Sequence, residues 1–386
     1  MRGQRRIRVA LCSPLAGLGG GETSLLALGG ELQKRGHHPV LVCPQEGRLT
    51  EAAEKQKLEV VVTHFGYPPR IGGLWVPSPT QSQAMLGVLQ DIKPHLVHVN
   101  DFRPCIHICL AAQLARLPVV WTAHLLWESK NILSREAVRR LCDSVLAVSR
   151  FVAQSLLDAA VIPQDRLRIS PLGVDTDRFS PRAARRELLA QWGVTPAHRA
   201  VVSLVRFQKV KDLDLMLDTA RALANIRNDV RLLMVGDYLL GDEEEKAYGR
   251  HIKERIEADP LLKTTVRQVP FVAAPEELLA ASHVYLCASQ VETFGQAVVE
   301  AMACGLPAVV TDCGGPAETV ADGVTGTVVR SRRPEDLAQA ISDILDDESL
   351  RRQMGENARR RVLDNYSLER FADRVESAYF DLLQGQ

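Results

Sequence analysis

The chain carries no excess charge of either sign. Its 47 Lys and Arg balance 47 Asp and Glu over 386 residues. A nucleic-acid binder ordinarily shows a large basic excess, so that class is excluded and no nucleic-acid partner is expected. Cysteines never pair as Cys-x-x-Cys. The eight are scattered, and only Cys105 and Cys109 stand close together, at helical spacing. A zinc site is therefore not expected, and reduced, buried thiols of a cytosolic protein fit best. Long hydrophobic runs are also missing. The N-terminal Met1-Arg-Gly-Gln-Arg-Arg-Ile-Arg8 leads into an apolar run too short and too interrupted for a signal peptide or a membrane span. The expectation is a cytoplasmic protein, with peripheral membrane contact left open. The dinucleotide spacing G-x-G-x-x-G is absent as well. In Gly17-Leu-Gly-Gly-Gly-Glu-Thr-Ser24 the sixth position counted from Gly17 is Glu22, and from Gly19 it is Ser24. A nicotinamide-dependent oxidoreductase is disfavoured on that ground.

What is present is an alternation. Ile7–Cys12, Val40–Cys43, Val60–Thr63, Leu96–Val99, Val119–Thr122 and Ser144–Val148 read as short apolar strands separated by amphipathic stretches. Continuous apolar runs between helices indicate a parallel sheet covered on both faces. The pattern breaks near Ile169–Pro181, where proline and glycine cluster, and then restarts at Ala200–Leu204, Val230–Val235, Val284–Cys287, Ala308–Thr311 and Gly326–Val329. Two successive alternations in a chain of this length predict an α/β protein of two doubly wound domains. The boundaries expected are 1–178, 179–365 and a last helix, 366–386, returning to the first domain. The first stretch, 1–178, holds 21 basic and 15 acidic residues, and the remainder holds 26 and 32. A basic first half fits an anionic partner there.

Several residues stand where chemistry is expected. The glycine loop after the first strand opens a helix, so it suits a phosphate or other substrate brought close to the backbone. His124 follows the strand Val119–Thr122, at the strand end where α/β proteins collect ligands. Arg206 and Lys211 follow the strand Ala200–Leu204, and two cations at such a point suit a diphosphate, with Lys209 a competitor for Lys211. Glu292 and Glu300 flank the turn Thr293-Phe-Gly295. If wholly helical they would be ~12 Å apart along the axis, which suits two hydroxyl acceptors spread along an extended donor better than an acid/base pair. Asp175-Thr-Asp177 and Asp212-Leu-Asp214 read as loop and helix-start acids, not as metal ligands. Trp75, Trp127 and the 130–140 region are candidates for an acceptor- or membrane-facing patch.

These segments resemble a known family. Glu292-Thr-Phe-Gly-Gln-Ala-Val-Val-Glu300 looks like the E-x7-E motif of the retaining GT-B glycosyltransferases of family 4, also called glycosyltransferase group 1. Ala301-Met-Ala-Cys-Gly-Leu-Pro-Ala-Val-Val-Thr-Asp-Cys-Gly-Gly315 resembles the stretch that follows it. Ile169–Phe179 resembles the interdomain segment and Gly19-Gly-Gly-Glu22 the N-terminal loop. The resemblance implies two Rossmann-like domains facing each other across a cleft. It implies transfer, with retention, of a hexose or N-acetylhexosamine from a UDP- or GDP-sugar to an acceptor hydroxyl, in lipid, polysaccharide or glycoside synthesis. By the same resemblance Glu300 would hold the ribose and Glu292 the transferred sugar, helped by N–H groups of Phe294, Gly295 and Gln296. Arg206 and Lys211 would bind the diphosphate, Gly20 or Gly21 would lie against it, and His124 would meet the sugar at the reacting centre. No metal and no other cofactor would be required. The acceptor is left unspecified, anionic or lipid-linked chemistry fits it, and monomer and homodimer are both compatible. Two residues depart from the family pattern, Asp212 after Lys211 where Gly is usual and Leu125 after His124 where Asp is common. A GT-B-like sugar-nucleotide epimerase and a non-catalytic sugar-nucleotide binding protein are the rival readings.

Overall fold

The computed structural model describes residues 6–71, 74–129, 131–182, 187–237 and 241–384. The chain divides into two compact units, Met1–Gly173 with Leu368–Gln386, and Val174–Ser367. The division falls at 173/174 and 367/368, not at 178/179 and 365/366. Residues 174–179 belong to the second unit because Val174 N–H donates to the Tyr366 carbonyl at 2.8 Å. The Arg359 guanidinium likewise binds the carbonyls of Thr176 and Phe179 at 2.9 and 2.8 Å.

In the first unit the strands are β1 (Arg8–Cys12), β2 (His38–Cys43), β3 (Glu59–Val62), a short antiparallel pair β4 (Arg70–Ile71) and β5 (Leu74–Trp75), β6 (Leu96–Val99), β7 (Val119–Ala123), β8 (Ser144–Ala147) and β9 (Leu167–Ile169). Apart from β4 and β5 they form one parallel sheet in the order β3-β2-β1-β6-β7-β8-β9. The central strands β6, β7 and β8 are buried along their whole length, which is why they read as unbroken apolar runs. The second unit repeats the plan with β10 (Arg199–Leu204), β11 (Val230–Val235), β12 (Val266–Val269), β13 (Val284–Cys287), β14 (Ala308–Thr311) and β15 (Gly326–Val329), all parallel in the order β12-β11-β10-β13-β14-β15. Counted within its own sheet, each runs third-second-first-fourth-fifth-sixth, with β9 added as a seventh strand at the edge of the first, and this is the doubly wound order whose direction reverses between the first and fourth strands. That reversal opens a crevice beyond the carboxyl ends of β1 and β6, and beyond those of β10 and β13.

The helix Leu368–Gln384 belongs to the first unit. Its Phe371, Ala372, Val375, Ala378 and Tyr379 are buried at helical spacing, against the helix Gly20–Lys34 and β8. Polar contacts fix its register. Glu376 is buried and accepts from Arg35 at 2.8 Å and from His37 Nε2 at 2.6 Å. His37 Nδ1 accepts the Ile7 N–H, so Nε2 is the nitrogen that carries the proton. Removing one partner of such a buried set strands a charge, at a cost of about 3–5 kcal/mol. Further in, His98 bridges the Tyr379 hydroxyl and Thr122 Oγ1, beneath the strand that leads to His124.

Candidate functional site

In the first unit the glycine loop follows β1 and the segment Asn100–Arg103 follows β6, so the two lie on either side of the sheet's reversal point. Gly20 and Gly21 open the helix Gly20–Lys34. Its N-terminus is closed by Glu22, whose Oε2 accepts the Gly19 N–H at 3.1 Å. A Cβ on Gly21 would lie 3.2 Å from Asn100 Nδ2 and 3.6 Å from His124 Nε2, whereas one on Gly20 would meet nothing within 4 Å. Gly21, Asn100 and His124 thus come together, and Gly20 faces open space beside them. His124 Nε2 lies 2.8 Å from Asn100 Oδ1. An amide oxygen only accepts, so Nε2 carries the proton and Nδ1 is left as an acceptor. Burial holds the imidazole in its neutral form by lowering its pKa to about 4. Asn100 and Asp101, whose carboxyl is pushed upward by burial, did not stand out in the sequence. Their one signal was their place just past a buried strand, and that becomes meaningful only when β6 is known to lie beside β1.

In the second unit Arg206 and Lys211 follow β10, and the turn 290–295 follows β13, again astride the reversal point. Lys211 Nζ forms an ion pair with Glu292 Oε2, both side chains being about one-fifth exposed. Lys209 instead pairs with Glu244 at 3.2 Å, each about 70% exposed, away from Glu292. Arg206 is exposed, and among the described residues it makes no ion pair. Its position depends on Gly236, since a Cβ there would fall 1.9 Å from the Val205 carbonyl oxygen.

Glu292 does not stand on the helix. The helix spans Gln296–Ala303, and Gly295 precedes it in the left-handed region at φ 88°. Glu292 belongs to a parallel bridge with Gly314, its N–H donating to Cys313 O and its carbonyl accepting from Gly315 N–H, both at 2.8 Å. Straight helical rise therefore does not describe the separation of Glu292 and Glu300, because the two glycine turns hold the first acid in extended backbone. The Phe294 ring is buried and meets Tyr366 edge to face at 6.1 Å, so its side chain is core and only its backbone is available to a ligand. Asp212 caps the helix Leu213–Ile226, and Asp214 binds Tyr248, His251 and Arg255. Asp175 accepts from the N–H groups of Asp177 and Arg178. Both Asp-x-Asp pairs are thus occupied in shaping the chain. Among the described residues no group of three or more His, Cys, Asp or Glu is arranged to hold a metal ion.

Glu300 lies on the helix Gln296–Ala303 with its side chain hydrogen-bonded to Gln296. It keeps some solvent access, yet protein packed around it raises its pKa from the ordinary 4.5 to about 7. Because the folded-state value lies above the unfolded one, ionisation opposes folding. The cost is absent below pH 4.5, grows as the pH rises toward 7, and is fully present above it. A shift of this size corresponds to roughly 3 kcal/mol. Glu300→Gln is expected to raise the thermal midpoint relative to wild type at pH 8, with the two proteins converging at pH 4.5. An equal difference at both pH values would contradict this assignment.

The model for glycosyl transferases group 1 matches residues 185–361, and that for glycosyltransferase family 4 matches residues 18–178. The D-inositol 3-phosphate glycosyltransferase of Corynebacterium aurimucosum is 30% identical over 299 residues, which is 71% of this chain and 68% of that one. The N-acetyl-alpha-D-glucosaminyl L-malate synthase of Bacillus anthracis is 31% identical over 204 residues, 51% of this chain and 49% of that one. The chain thus spans between about half and about seven tenths of the length of these curated relatives. Among solved structures, a glycosyltransferase from Rickettsia africae matches with a TM-score of 0.86 at 22% identity, covering 99% of this chain and 100% of that one. HepE of Anabaena, in complex with UDP, matches with a TM-score of 0.83 at 20% identity, covering 97% and 100%. At such identities these two matches speak for the fold alone. The two family models, the Corynebacterium relative and the paired doubly wound sheets agree: the chain belongs to the group 1 glycosyltransferases and has the GT-B fold.

Proposed function

We propose that the protein transfers a hexosyl or N-acetylhexosaminyl group, with retention, from a nucleotide diphosphate-sugar to an acceptor hydroxyl. The observation that carries this reading is the ion pair of Lys211 with Glu292 at the reversal point of the second sheet, with Arg206 on the same loop as Lys211. There a cation for diphosphate and a carboxylate for sugar hydroxyls already stand side by side. Glu300, farther along the helix, holds the ribose hydroxyls, and the backbone of Phe294, Gly295 and Gln296 faces the sugar. The pairing of Lys209 with Glu244 favours Lys211 as the phosphate ligand. The first unit by itself offers the helix start at Gly20 and Gly21, suited to an anionic group, and His124 Nδ1, suited to a hydroxyl. HepE of Anabaena was crystallised with UDP and, separately, with UDP-glucose, which supports a uridine donor here.

In this mechanism negative charge grows on the diphosphate as the C1–O bond lengthens, and Arg206 and Lys211 stabilise it. The acceptor oxygen bonds C1 on the same face, and its proton leaves on the departing phosphate oxygen. No protein nucleophile takes part. The two cations supply the neutralisation that a metal ion would otherwise provide.

The test is binding followed by product analysis. UDP-, GDP- and ADP-sugars are screened for thermal stabilisation, where a ligand at 100 times its Kd adds about 2.7 kcal/mol. The stabilising donor is then incubated with candidate acceptors. One donor is expected to raise the midpoint and to give an α-linked glycoside if its own linkage is α. Stabilisation by none of them would end the reading, and conversion of the donor to its epimer without transfer would replace it.

A further inference from the structure

The first unit holds a cavity of about 250 Å³ beside the Asn100–His124 pair. Its wall is built by the same two loops: Phe102 and Arg103 follow Asn100, and Trp127 follows His124. Pro68, Val76, Pro77 and Ile106 line it too, and the helix Ile132–Leu141 with its cap closes another side through Asn131, Leu133, Ser134 and Ala137. The surface is largely apolar and aromatic. The Phe102 and Trp121 rings lie 5.8 Å apart, and Trp121 and Trp127 6.4 Å apart, forming one cluster behind the cavity. Among the described residues the one cation in the lining is Arg103, whose guanidinium sits 5.5 Å from the centre of the Trp127 ring. It is half-buried, and among the described residues it has no ion-pair partner within 4 Å. Neither Lys130 nor the side chain of Trp75 falls within what the structure describes, so the patch rests on Trp127 and its neighbours.

We propose that this cavity is an acceptor subsite for a compact aromatic acid: a hydroxylated aryl group seated against Phe102 and Trp127, with its anionic substituent on Arg103. Three observations converge. The volume is near the lower limit for small-molecule sites, which admits one substituted ring and not a nucleotide or a whole lipid. The aromatic walls favour another ring through edge and offset contacts. The half-buried Arg103 guanidinium acts on Asp101 from a distance but makes no ion pair within 4 Å among the described residues, and it is stabilised most by an anion that it can fork onto. The inference rests on the transfer reading. The acceptor O–H breaks, its oxygen bonds C1 as the C1–O bond to diphosphate breaks, and the proton departs on the diphosphate.

The test uses the full chain with 4-hydroxybenzoate, neutral 4-hydroxybenzyl alcohol, myo-inositol 1-phosphate and octanol, together with the donor that stabilises the protein. Transfer to 4-hydroxybenzoate is expected to show the lowest KM. Arg103→Gln should raise that KM about 10-fold or more, with the neutral analogue unaffected. Ala137→Phe, on the helix Ile132–Leu141 that lines the cavity, should abolish binding of both aryl compounds while donor stabilisation and donor hydrolysis persist. Binding is also read without turnover, as quenching of fluorescence by 4-hydroxybenzoate that is lost in Trp127→Phe. Preference for myo-inositol 1-phosphate or octanol overturns the proposal, as does an Ala137→Phe protein that still binds the aryl acid. Failure of every nucleotide sugar to bind, with quenching intact, would instead count against the transfer reading.

Discussion

Lys211→Ala is expected to lower kcat by about 10²–10³-fold, with Arg206→Ala close behind and the thermal midpoint within a few degrees of wild type in both. The reasoning is electrostatic. Removing one preorganised donor from a developing anion costs about 2.7–4 kcal/mol in other enzymes. A diphosphate leaving group gathers charge in the same way, and the two cations on the loop after β10 are the groups placed to meet it. Lys211 has the larger expected effect because it is already oriented by Glu292, whereas Arg206 is exposed and acts once the donor arrives. Folding survives because neither side chain is fully buried and Lys211→Ala leaves Glu292 within reach of water, about one-fifth exposed. The double variant Lys211→Ala/Glu292→Ala adds a control: coupled residues lose less together than the sum of their single losses. Steady-state rates together with melting curves decide the matter. Near-normal turnover in both single variants would remove these residues from the mechanism.

Gly315→Ala is expected to cost the second unit about 3 kcal/mol and to abolish donor stabilisation. A Cβ on Gly315 would lie 2.4 Å from Phe294 Cα, 2.5 Å from Thr293 O and 2.6 Å from Phe294 N. All three are backbone atoms, so no side-chain rotation relieves the overlap, and the turn carrying Glu292 must separate from the turn carrying Gly314. Overpacking of this kind costs about 1–3 kcal/mol or more, and the lost Gly315 N–H to Glu292 O bond adds about 1. For a unit of this size the loss appears as a fall of about 6–12 °C in its midpoint. The measurement is calorimetry with and without the nucleotide sugar. A variant that melts like wild type and still gains stability from the donor would show that the two turns are not coupled.

The two variants probe different levels of the same site. Lys211 and Arg206 supply charge, and Gly315 supplies the shape that lets Glu292 stand beside that charge. Glu300 adds a third aspect, because burial makes its ionisation unfavourable, while the proposed reading assigns it the ribose hydroxyls. The stability gained in Glu300→Gln should therefore accompany weaker donor binding, a trade-off common at functional sites.

Much of this was legible in the order of residues. Buried strands such as Val119–Ala123 and Ala308–Thr311 announce themselves as unbroken apolar runs, because both faces of a parallel sheet are covered. In the two large sheets the strands that escaped notice, Leu167–Ile169 and Val266–Val269, are edges. Leu-Arg-Ile and Val-Arg-Gln-Val carry charge or amide on partly exposed positions, so no continuous run marks them. Residues 174–178 read as the end of the first domain because the proline and glycine around them look like a linker. Their allegiance is set by Arg359, which lies far away in sequence. Glu292 was placed on a helical ruler because the residues after it are helical. The left-handed Gly295 and the bridge to Gly314 put it in extended backbone instead.

By itself the sequence determined the buried strands, which residues are chemically able to act, and the family to which their spacing belongs, because periodicity, turn residues and motif spacing are local properties. It could not determine which loops become neighbours. Asn100 meets His124 and Gly21, and Lys211 meets Glu292, because each sheet is wound so that its first and fourth strands lie side by side. Strand order is a non-local consequence of how helices cross over to cover both faces of a sheet. The same winding made the loops after Asn100 and His124 into the wall of an apolar cavity, which no single stretch of the chain contains.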